Sequence, residues 1–396
     1  MMKTKKISLK LPKGRDITIQ LAMIGLMIIG LVMSGSSAMT SDVTLYTLMI
    51  TWLKQAVFLV AGYIGYAMLS RRFSLSFIRS KYMIFMVLAV IGAIAPLFFK
   101  ETNGAKAWIP IELGFVSMSI QPSEFIKIIV ILVLVVYLAD IKNPTASLGN
   151  MLKMPLFFIL GITAIIVALQ SDLGSGLVIL AISVLVFLLA SHPKLRIWQW
   201  ITLVLMIFVL IGAGMLLTPG GLSFLRSVGL PDYMVNRFEN TINPFLNRYG
   251  TGYQLVSSLM AFVKGKWIGV GFGKSLQKYG YLPAAQTDFI LAVIAEEAGF
   301  LGVMIVSGLT LFIVVKLFIH AFKAKDDATK MILSGVAYYM LLHFILNVGG
   351  VSALIPLTGV PLLLISSGGS STLSIMFAIG IAQRQIALMN QEKPKP

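Results

Sequence analysis

No cysteine occurs in the 396 residues, which excludes disulfides, thiol nucleophiles, cysteine-ligated zinc and iron–sulfur clusters. Charge is scarce as well. Asp, Glu, Lys and Arg together make up 12% of the chain, against ~25% in an ordinary soluble domain. So little polar surface cannot wet a soluble protein of this size. Apolar residues fill the gap, at 58% of the chain, and the mean hydropathy is +0.91. The chain therefore reads as an all-α integral membrane protein, rather than the two or three soluble domains its length would suggest. Acidic residues are the scarcer sign, 15 Asp+Glu against 32 Lys+Arg, for a net charge of +17. In a membrane protein that excess reads as loops facing anionic lipid, not as a nucleic-acid surface.

A helix needs about 20 apolar residues to cross the hydrocarbon layer. Ten such stretches lie near 17–35, 46–69, 82–99, 123–139, 154–170, 173–190, 197–217, 289–320, 331–350 and 366–388. They predict about ten transmembrane helices, with a large extracellular loop at 218–288 between the seventh and eighth. The polar break Gln170-Ser171-Asp172, followed by Gly174, predicts a tight turn between the fifth and sixth spans. At the start of the chain, basic residues, an apolar run and then Ser34-Gly35-Ser36-Ser37-Ala38 mimic a secretory signal. That run is longer than a signal core and further spans follow, so an uncleaved first helix is expected.

Basic flanks orient the spans. The N-terminal tail holds Lys3, Lys5, Lys6, Lys10, Lys13 and Arg15, and the second connection Arg71, Arg72, Arg79 and Lys81. Later even-numbered connections hold Lys142 and Lys153, Lys194 and Arg196, then Lys323, Lys325 and Lys330, whereas 36–45, 171–172 and 351–365 carry no Lys or Arg. The expected organisation is one membrane domain: a cytoplasmic basic tail at 1–16, helices one to seven at 17–217, the extracellular loop at 218–288, helices eight to ten at 289–388 and a cytoplasmic tail at 389–396. A multi-pass protein with both termini cytoplasmic follows.

Polar residues gather at the outer ends of the spans, where each must be satisfied or used. Lys106 beside Trp108 either grips a phosphate or snorkels next to an interfacial indole anchor. Gln121-Pro122-Ser123-Glu124 opens the fourth span, with Ser123 placed to cap it and Glu124 at the favourable end of the helix dipole. Glu124 and Lys127, at i and i+3, can pair on one face, as a structural ion pair or as walls of a polar cavity. Asp172, after Gln170, is placed either to cap the sixth span or to face that cavity. Tyr281–Ile290 leads into Glu296-Glu297-Ala298-Gly299, with Thr287 or Asp288 starting a helix. Asp288 is there a helix cap or a working carboxylate, and two turns on, Glu296 and Glu297 could line the same groove.

Upstream, Val256–Val263 is too short to cross and reads as an interfacial helix. Glycines 269, 271 and 273 with Lys264, Lys266, Lys274 and Lys278 suit either a mobile loop near an anionic ligand or a plain basic surface. No strand precedes them, and no phosphate-loop pattern fits. Finally, Pro356, Pro361 and the run Ser366-Ser367-Gly368-Gly369-Ser370-Ser371 break the helix at outer-membrane depth. Such backbone is tolerated only where it is buried in protein or lines a wet cavity, so these segments together argue for an outward-facing polar site.

Taken in order, four segments resemble the SEDS family of bacterial cell division, elongation and sporulation proteins that includes FtsW and RodA. They are Gln-Pro-Ser-Glu at 121–124, Gln-x-Asp-Leu-Gly at 170–174, Leu-Pro…Thr-Asp-Phe-Ile at 282–290 with Glu-Glu-x-Gly at 296–299, and Ile-Ser-x-Gly-Gly-Ser-Ser at 365–371. Gly252-Tyr253-Gln254 and Ser275-Leu276-Gln277-Lys278 look closest to the FtsW branch. The chain departs from the family pattern at Lys106-Ala107 (usually with an arginine), Gln286 (usually His) and Ser367 (usually Tyr).

The resemblance implies a peptidoglycan glycosyltransferase that polymerises lipid II on the outer face of the bacterial cytoplasmic membrane during cell division. Asp288 matches the family's essential aspartate and would be the general base. Lys106, Gln121, Ser123, Lys274, Lys278, Thr287, Ser366, Gly368, Gly369 and Ser370 become candidate substrate contacts. Glu124, Lys127, Gln170, Asp172, Glu296 and Glu297 become the supporting polar framework. The resemblance also implies a divalent cation, Mg or Mn, with no ligand spacing here to show it, and partners among the class B penicillin-binding transpeptidases and divisome membrane proteins. Ten helices with buried charge would equally serve a lipid II flippase, but the acidic residues cluster at outer positions, which favours one-sided chemistry. A non-enzymatic scaffold recruiting the transpeptidase would leave Asp288 dispensable.

Overall fold

The computed structural model describes residues 10–39, 43–102, 104–113, 116–139, 147–229 and 232–391. Lys3, Lys5, Lys6, Asn103, Lys142 and the 392–396 end of the C-terminal tail lie outside these residues. Helix α1 (Ile17–Ala38) starts where the Asp16 carboxylate accepts from the Thr18 and Ile19 amides. Helix α2 (Leu45–Arg72) is capped by Thr44 and ends on Arg71 and Arg72, cations at the negative end of the helix dipole. Helix α3 (Leu75–Ile94) begins at its Ser74 cap, earlier than hydropathy alone suggests. Strands β1 (Ile109–Leu113) and β2 (Val116–Ile120) then form a small antiparallel hairpin, Ile109 opposite Ile120, which the reading of the chain as all helix did not include.

Helix α4 spans Pro122–Leu138, and α5 spans Leu148–Ala164 before a single π turn at Ile165–Leu169. Helix α6 (Leu173–Phe187) follows the expected tight turn, and α7 covers Arg196–Leu216. The connection to the next long helix carries α8 (Pro219–Ser227), α9 (Asp232–Ile242) and α10 (Tyr253–Gly265). Then come α11 (Ile290–Lys323), α12 (Asp327–Val351) and α13 (Gly369–Gln391). Among the described residues eight helices are long and apolar enough to cross a membrane. Each of the ten expected stretches contains a helix, but α4, with 17 residues, and α6, with 15, fall short of that length. At 1.5 Å per residue α6 reaches only ~22 Å.

The bundle has a protein-facing centre and a lipid-facing rim. Helices α12 and α13 are mostly buried, whereas α7 buries none of its residues. Its two ends are defined by α1 and α11, which run antiparallel. At one end Asp16 Oδ2 meets His320 Nε2 at 2.9 Å and Lys316 Nζ at 3.6 Å. Burial alone would raise the Asp16 carboxyl, but the His320, Thr18 and Ile19 hydrogen bonds outweigh it and hold it below the usual carboxylate range. Gln383 Nε2 donates to the Asp16 carbonyl and Asn390 Nδ2 to the Gly14 carbonyl, so the N-terminal segment and the end of α13 share this end. At the other end Ser36 meets Glu297, and there the polar segments converge.

Candidate functional site

Asp288 is not part of a helix. Residues 282–289 form successive turns, with Ala285 N donating to Leu282 O and both Thr287 N and Phe289 N to Ala284 O. Helix α11 begins only at Ile290, with Phe289 at its cap position and no side-chain cap bond. This overturns the expectation that Thr287 or Asp288 starts the helix, and with it the reading of Asp288 as a cap. Three consecutive carbonyls of this turn are held from elsewhere. Gln286 O accepts from Ser367 N at 2.9 Å, Thr287 O from Ser366 Oγ at 2.7 Å, and Asp288 O from Asn347 Nδ2 at 2.8 Å.

The Asp288 carboxylate is half-buried and faces Gly359, where a Cβ would lie 3.7 Å from Oδ2. Burial pushes its pKa up to about 7; the Arg237 guanidinium and the Thr287 hydroxyl draw it down, and Asp172 raises it further. Arg237, on α9, donates from Nη1 to Leu357 O at 3.0 Å and so sits on the same strap of chain that covers Asp288.

Asp172 is the N-cap of α6, as expected, accepting from Ser175 N through Oδ1. It also accepts from Gln121 Nε2 through Oδ2 at 2.8 Å, which ties the start of α6 to the start of α4. The turn before it owes its shape to Ser171, at φ 59. Gly174 is required for a different reason, since a Cβ there would meet Thr358 O at 2.6 Å. Gln121 is the residue at the start of α4, with Pro122 at the first helical position; Ser123 does not cap, and its hydroxyl faces Ser175 Oγ at 3.2 Å. Ser370 Oγ accepts from Gln121 N, Gln170 O accepts from Lys106 N, and the Lys106 side chain is exposed beside this end. Gly369, opening α13, lies against the Phe58 ring, and the Gly368 carbonyl accepts from Ser371 Oγ at 2.9 Å.

Glu124 and Lys127 pair at 2.7 Å with both side chains buried. The pair is larger than its spacing suggested. Lys127 Nζ also lies 3.0 Å from His343 Nε2, and Tyr339 OH donates to Glu124 Oε2 at 2.7 Å. Glu296 and Glu297 do not share a groove with the Asp288 carboxylate; they turn onto the 273–278 loop. Glu296 accepts from Ser275 Oγ and from the Leu276 and Gln277 amides. Glu297 accepts from Ser36 Oγ at 2.6 Å, from Ser275 N at 3.3 Å and from Lys278 Nζ at 3.0 Å. Lys278 further donates to Gly273 O, so its ammonium is saturated inside the protein, whereas Lys274 is exposed. A cavity of about 360 Å³, lined by Ser37, Lys278, Gln286 and Thr287 among others, opens beside this loop.

Arg237 and His343 join the site without having been singled out from the sequence; Asn347, Ser275 and Ser36 stood there only within the 347–350, 275–278 and 34–38 segments, with no role of their own. His343 and Asn347 carried a readable signal, two polar residues four apart on an otherwise apolar helix. Arg237 carried none, because only tertiary contacts bring it here. Among the described residues no three His, Asp or Glu converge as metal ligands. Among the described residues Asp172 is the carboxylate whose like charge Asp288 feels, and the two would suffice for a divalent cation only if ligand phosphate oxygens complete the shell.

A helical membrane bundle with a polar site built around a half-buried carboxylate defines a multi-pass membrane protein. The FtsW/RodA/SpoVE family model, described as cell cycle protein, matches residues 17–390, and the chain belongs to that family. It is 32% identical over 376 residues to the probable peptidoglycan glycosyltransferase FtsW of Bacillus subtilis (strain 168), covering 94% of this chain and 90% of that protein. To the protein of the same name from Enterococcus hirae it is 34% identical over 306 residues, 76% of this chain and 72% of the relative. Its fold matches a chain solved in a peptidoglycan synthase complex with a TM-score of 0.73 at 22% identity, covering 96% of this chain and 99% of the other. The rod shape determining protein RodA of Thermus thermophilus matches with a TM-score of 0.61 at 21% identity, over 96% and 98% of the two chains.

Proposed function

We propose that this chain is a peptidoglycan glycosyltransferase that joins lipid II units into glycan strands at the outer face of the cytoplasmic membrane during division. The names of its relatives support the reaction class. The observation that carries the mechanism is Asp288: a carboxylate held by its backbone in a rigid turn, with a pKa pushed up to about 7 by burial. That is where a general base works best near neutral pH.

In this reading the acceptor's sugar hydroxyl attacks the donor's anomeric carbon. The new C–O bond forms as the anomeric C–O bond to the polyprenyl diphosphate breaks, the electron pair leaves with the diphosphate, and the hydroxyl proton passes to Asp288. Arg237 and exposed Lys106 supply positive charge for the leaving diphosphate. Gln121, through its bond to Asp172, fixes the polar wall opposite. Asp172 and Asp288 are the carboxylates that would hold a divalent cation, Mg or Mn, and its charge would favour departure of the diphosphate. Lys278 and Lys274 contribute unequally. Lys278 shapes the loop, and Lys274 remains free to meet anionic substrate. Both termini are assigned to the cytoplasm by the basic flanks. The expected partners are a class B penicillin-binding transpeptidase, consistent with the fold shared with a chain of a peptidoglycan synthase complex, and other divisome membrane proteins.

The test is glycan-strand formation from purified lipid II by wild type and Asp288→Asn, each reconstituted with the cognate transpeptidase and with Mg or Mn present. Polymer from wild type alone, with both complexes assembled, is the expected result. Polymer from both removes Asp288 from the mechanism. No polymer from either, together with lipid II translocation in proteoliposomes, replaces this reading with a flippase.

A further inference from the structure

Two polar side chains project from one face of α12 at positions four apart, His343 and Asn347, and both are buried. They grip consecutive carbonyls of the strap between α12 and α13. His343 Nδ1 lies 3.1 Å from Pro361 O, and Asn347 Nδ2 donates to Val360 O at 2.9 Å. The same Asn347 amide group donates its second hydrogen to Asp288 O at 2.8 Å. An amide NH₂ carries two hydrogens, and here both are used, one on the strap and one on the residue that carries the carboxylate. The strap in turn places Gly359 opposite Asp288 Oδ2 and takes the Arg237 bond at Leu357 O.

The His343 contacts fix its tautomer. Lys127 is donor-only and lies on Nε2, so Nε2 accepts and Nδ1–H points to the Pro361 carbonyl. The chain of contacts therefore runs from Glu124 through Lys127 and His343 to Pro361, and one helical turn away from Val360 through Asn347 to Asp288. Helix α12, through Asn347, therefore ties the turn that carries the carboxylate to the strap that faces it.

We infer that Asn347 is the positioning residue of the site, setting Asp288 against the 357–361 strap through its two-hydrogen bridge, with His343 anchoring the same strap one turn along. This inference rests on the reading of Asp288 as the working base. Asn347 touches no reacting atom in it. Its bonds go to backbone, so it acts through Asp288.

The experiment measures lipid II polymerisation by the full-length protein with its transpeptidase, as turnover, KM and a pH profile, beside the thermal unfolding midpoint. The variants are Asn347→Leu, Asn347→Asp and His343→Leu. Asn347→Leu keeps volume and removes both donated hydrogens; turnover falls 10- to 100-fold while KM for lipid II stays within twofold. Asn347→Asp loses the same bonds and adds a carboxylate beside Asp288, which already faces Asp172 and Arg237, with Lys127 and His343 one turn away. Its acid limb moves to higher pH, a shift that a merely structural role would not produce. His343→Leu loses turnover less steeply, by less than tenfold. Asn347→Leu at wild-type turnover overturns the inference. So does a loss of turnover matched by an equal loss in unfolding midpoint with the pH profile of Asn347→Asp unmoved. Asp288→Asn, run in parallel, separates the two levels: an active Asp288→Asn sinks the general-base reading itself, whereas an inactive Asp288→Asn beside a fully active Asn347→Leu sinks only the positioning role.

Discussion

Lys278 and Glu297 are paired at 3.0 Å with neither side chain open to solvent, and the ammonium also donates to the Ser36 hydroxyl at 3.3 Å. A buried pair of this kind is asymmetric in its energetics. Removing one partner strands a charge at about 3–5 kcal/mol, while removing both together costs far less. Lys278→Met is therefore expected to lower the unfolding midpoint sharply and to lower polymer yield with it. Lys278→Met combined with Glu297→Gln recovers most of the midpoint. Unfolding of the wild type and the two variants in one detergent checks this. A midpoint for Lys278→Met equal to wild type would show that the lysine has been misassigned as a structural cation.

The pH dependence of polymerisation follows from Asp288. A base must be unprotonated, so activity falls as pH drops through about 7. Asp172→Asn removes the like charge and shifts that limb to lower pH; Arg237→Gln removes the opposing charge and shifts it higher. The effect on stability has the opposite sense to that of a salt-bridged acid. A carboxyl raised above its ordinary value favours the fold below the unfolded value near 3.8, and that contribution is lost as pH rises through about 7. Rate profiles of the three proteins over pH 5 to 9 decide the assignment, and identical limbs would rule Asp288 out as the group that titrates.

Arg237 is expected to act on the leaving diphosphate. Loss of one preorganised donor at a developing anion typically costs 10²–10³ in turnover, so Arg237→Gln should fall by about 10²-fold at its own optimum pH. Arg237→Lys keeps the charge and loses the fork, and it should recover part of that. Single-turnover rates measure both; full activity in Arg237→Gln would leave the arginine as no more than the clasp on Leu357.

Gly299 interrupts α11 at φ 68, and a Cβ there would collide with the Gly269 amide and the Trp267 carbonyl. Gly299→Ala cannot be accommodated without moving the 265–271 loop, whose Gly269 and Gly265 lie equally close to the backbone of 295–298. A loss of more than 2 kcal/mol is expected, from left-handed backbone strain and overpacking together. Detergent unfolding and protease sensitivity of the loop report it. Wild-type behaviour in both would mean the break is soft.

Much of the bundle was legible because a span needs only a long apolar run, and ten such runs stand in the sequence. Their ends were less so: α3 begins seven residues before the hydrophobic stretch near 82, because Ser74 caps it and Arg79 and Lys81 ride on its first turns. The hairpin was written in Ile109-Pro-Ile-Glu-Leu and Val116-Ser-Met-Ser-Ile, each alternating with period two. Five residues between helices were too short a signal to stand out. Within the site, Asp172, Glu124 and Lys127 were readable from local spacing, whereas Arg237 and Ser275 depend on contacts over tens or hundreds of residues that no spacing encodes.

The three carbonyls of 286–288, each fixed by a donor from the α12–α13 side, also bear on the entropy of catalysis. Ordering a flexible loop residue costs ~1–2 kcal/mol of backbone freedom, and a base carried on such a loop would lose that freedom anew at every encounter with substrate. Here the chain has lost it once, on folding. Each turnover then begins with the carboxylate already aligned, so binding energy from the lipid substrate remains available to orient the sugars rather than the protein.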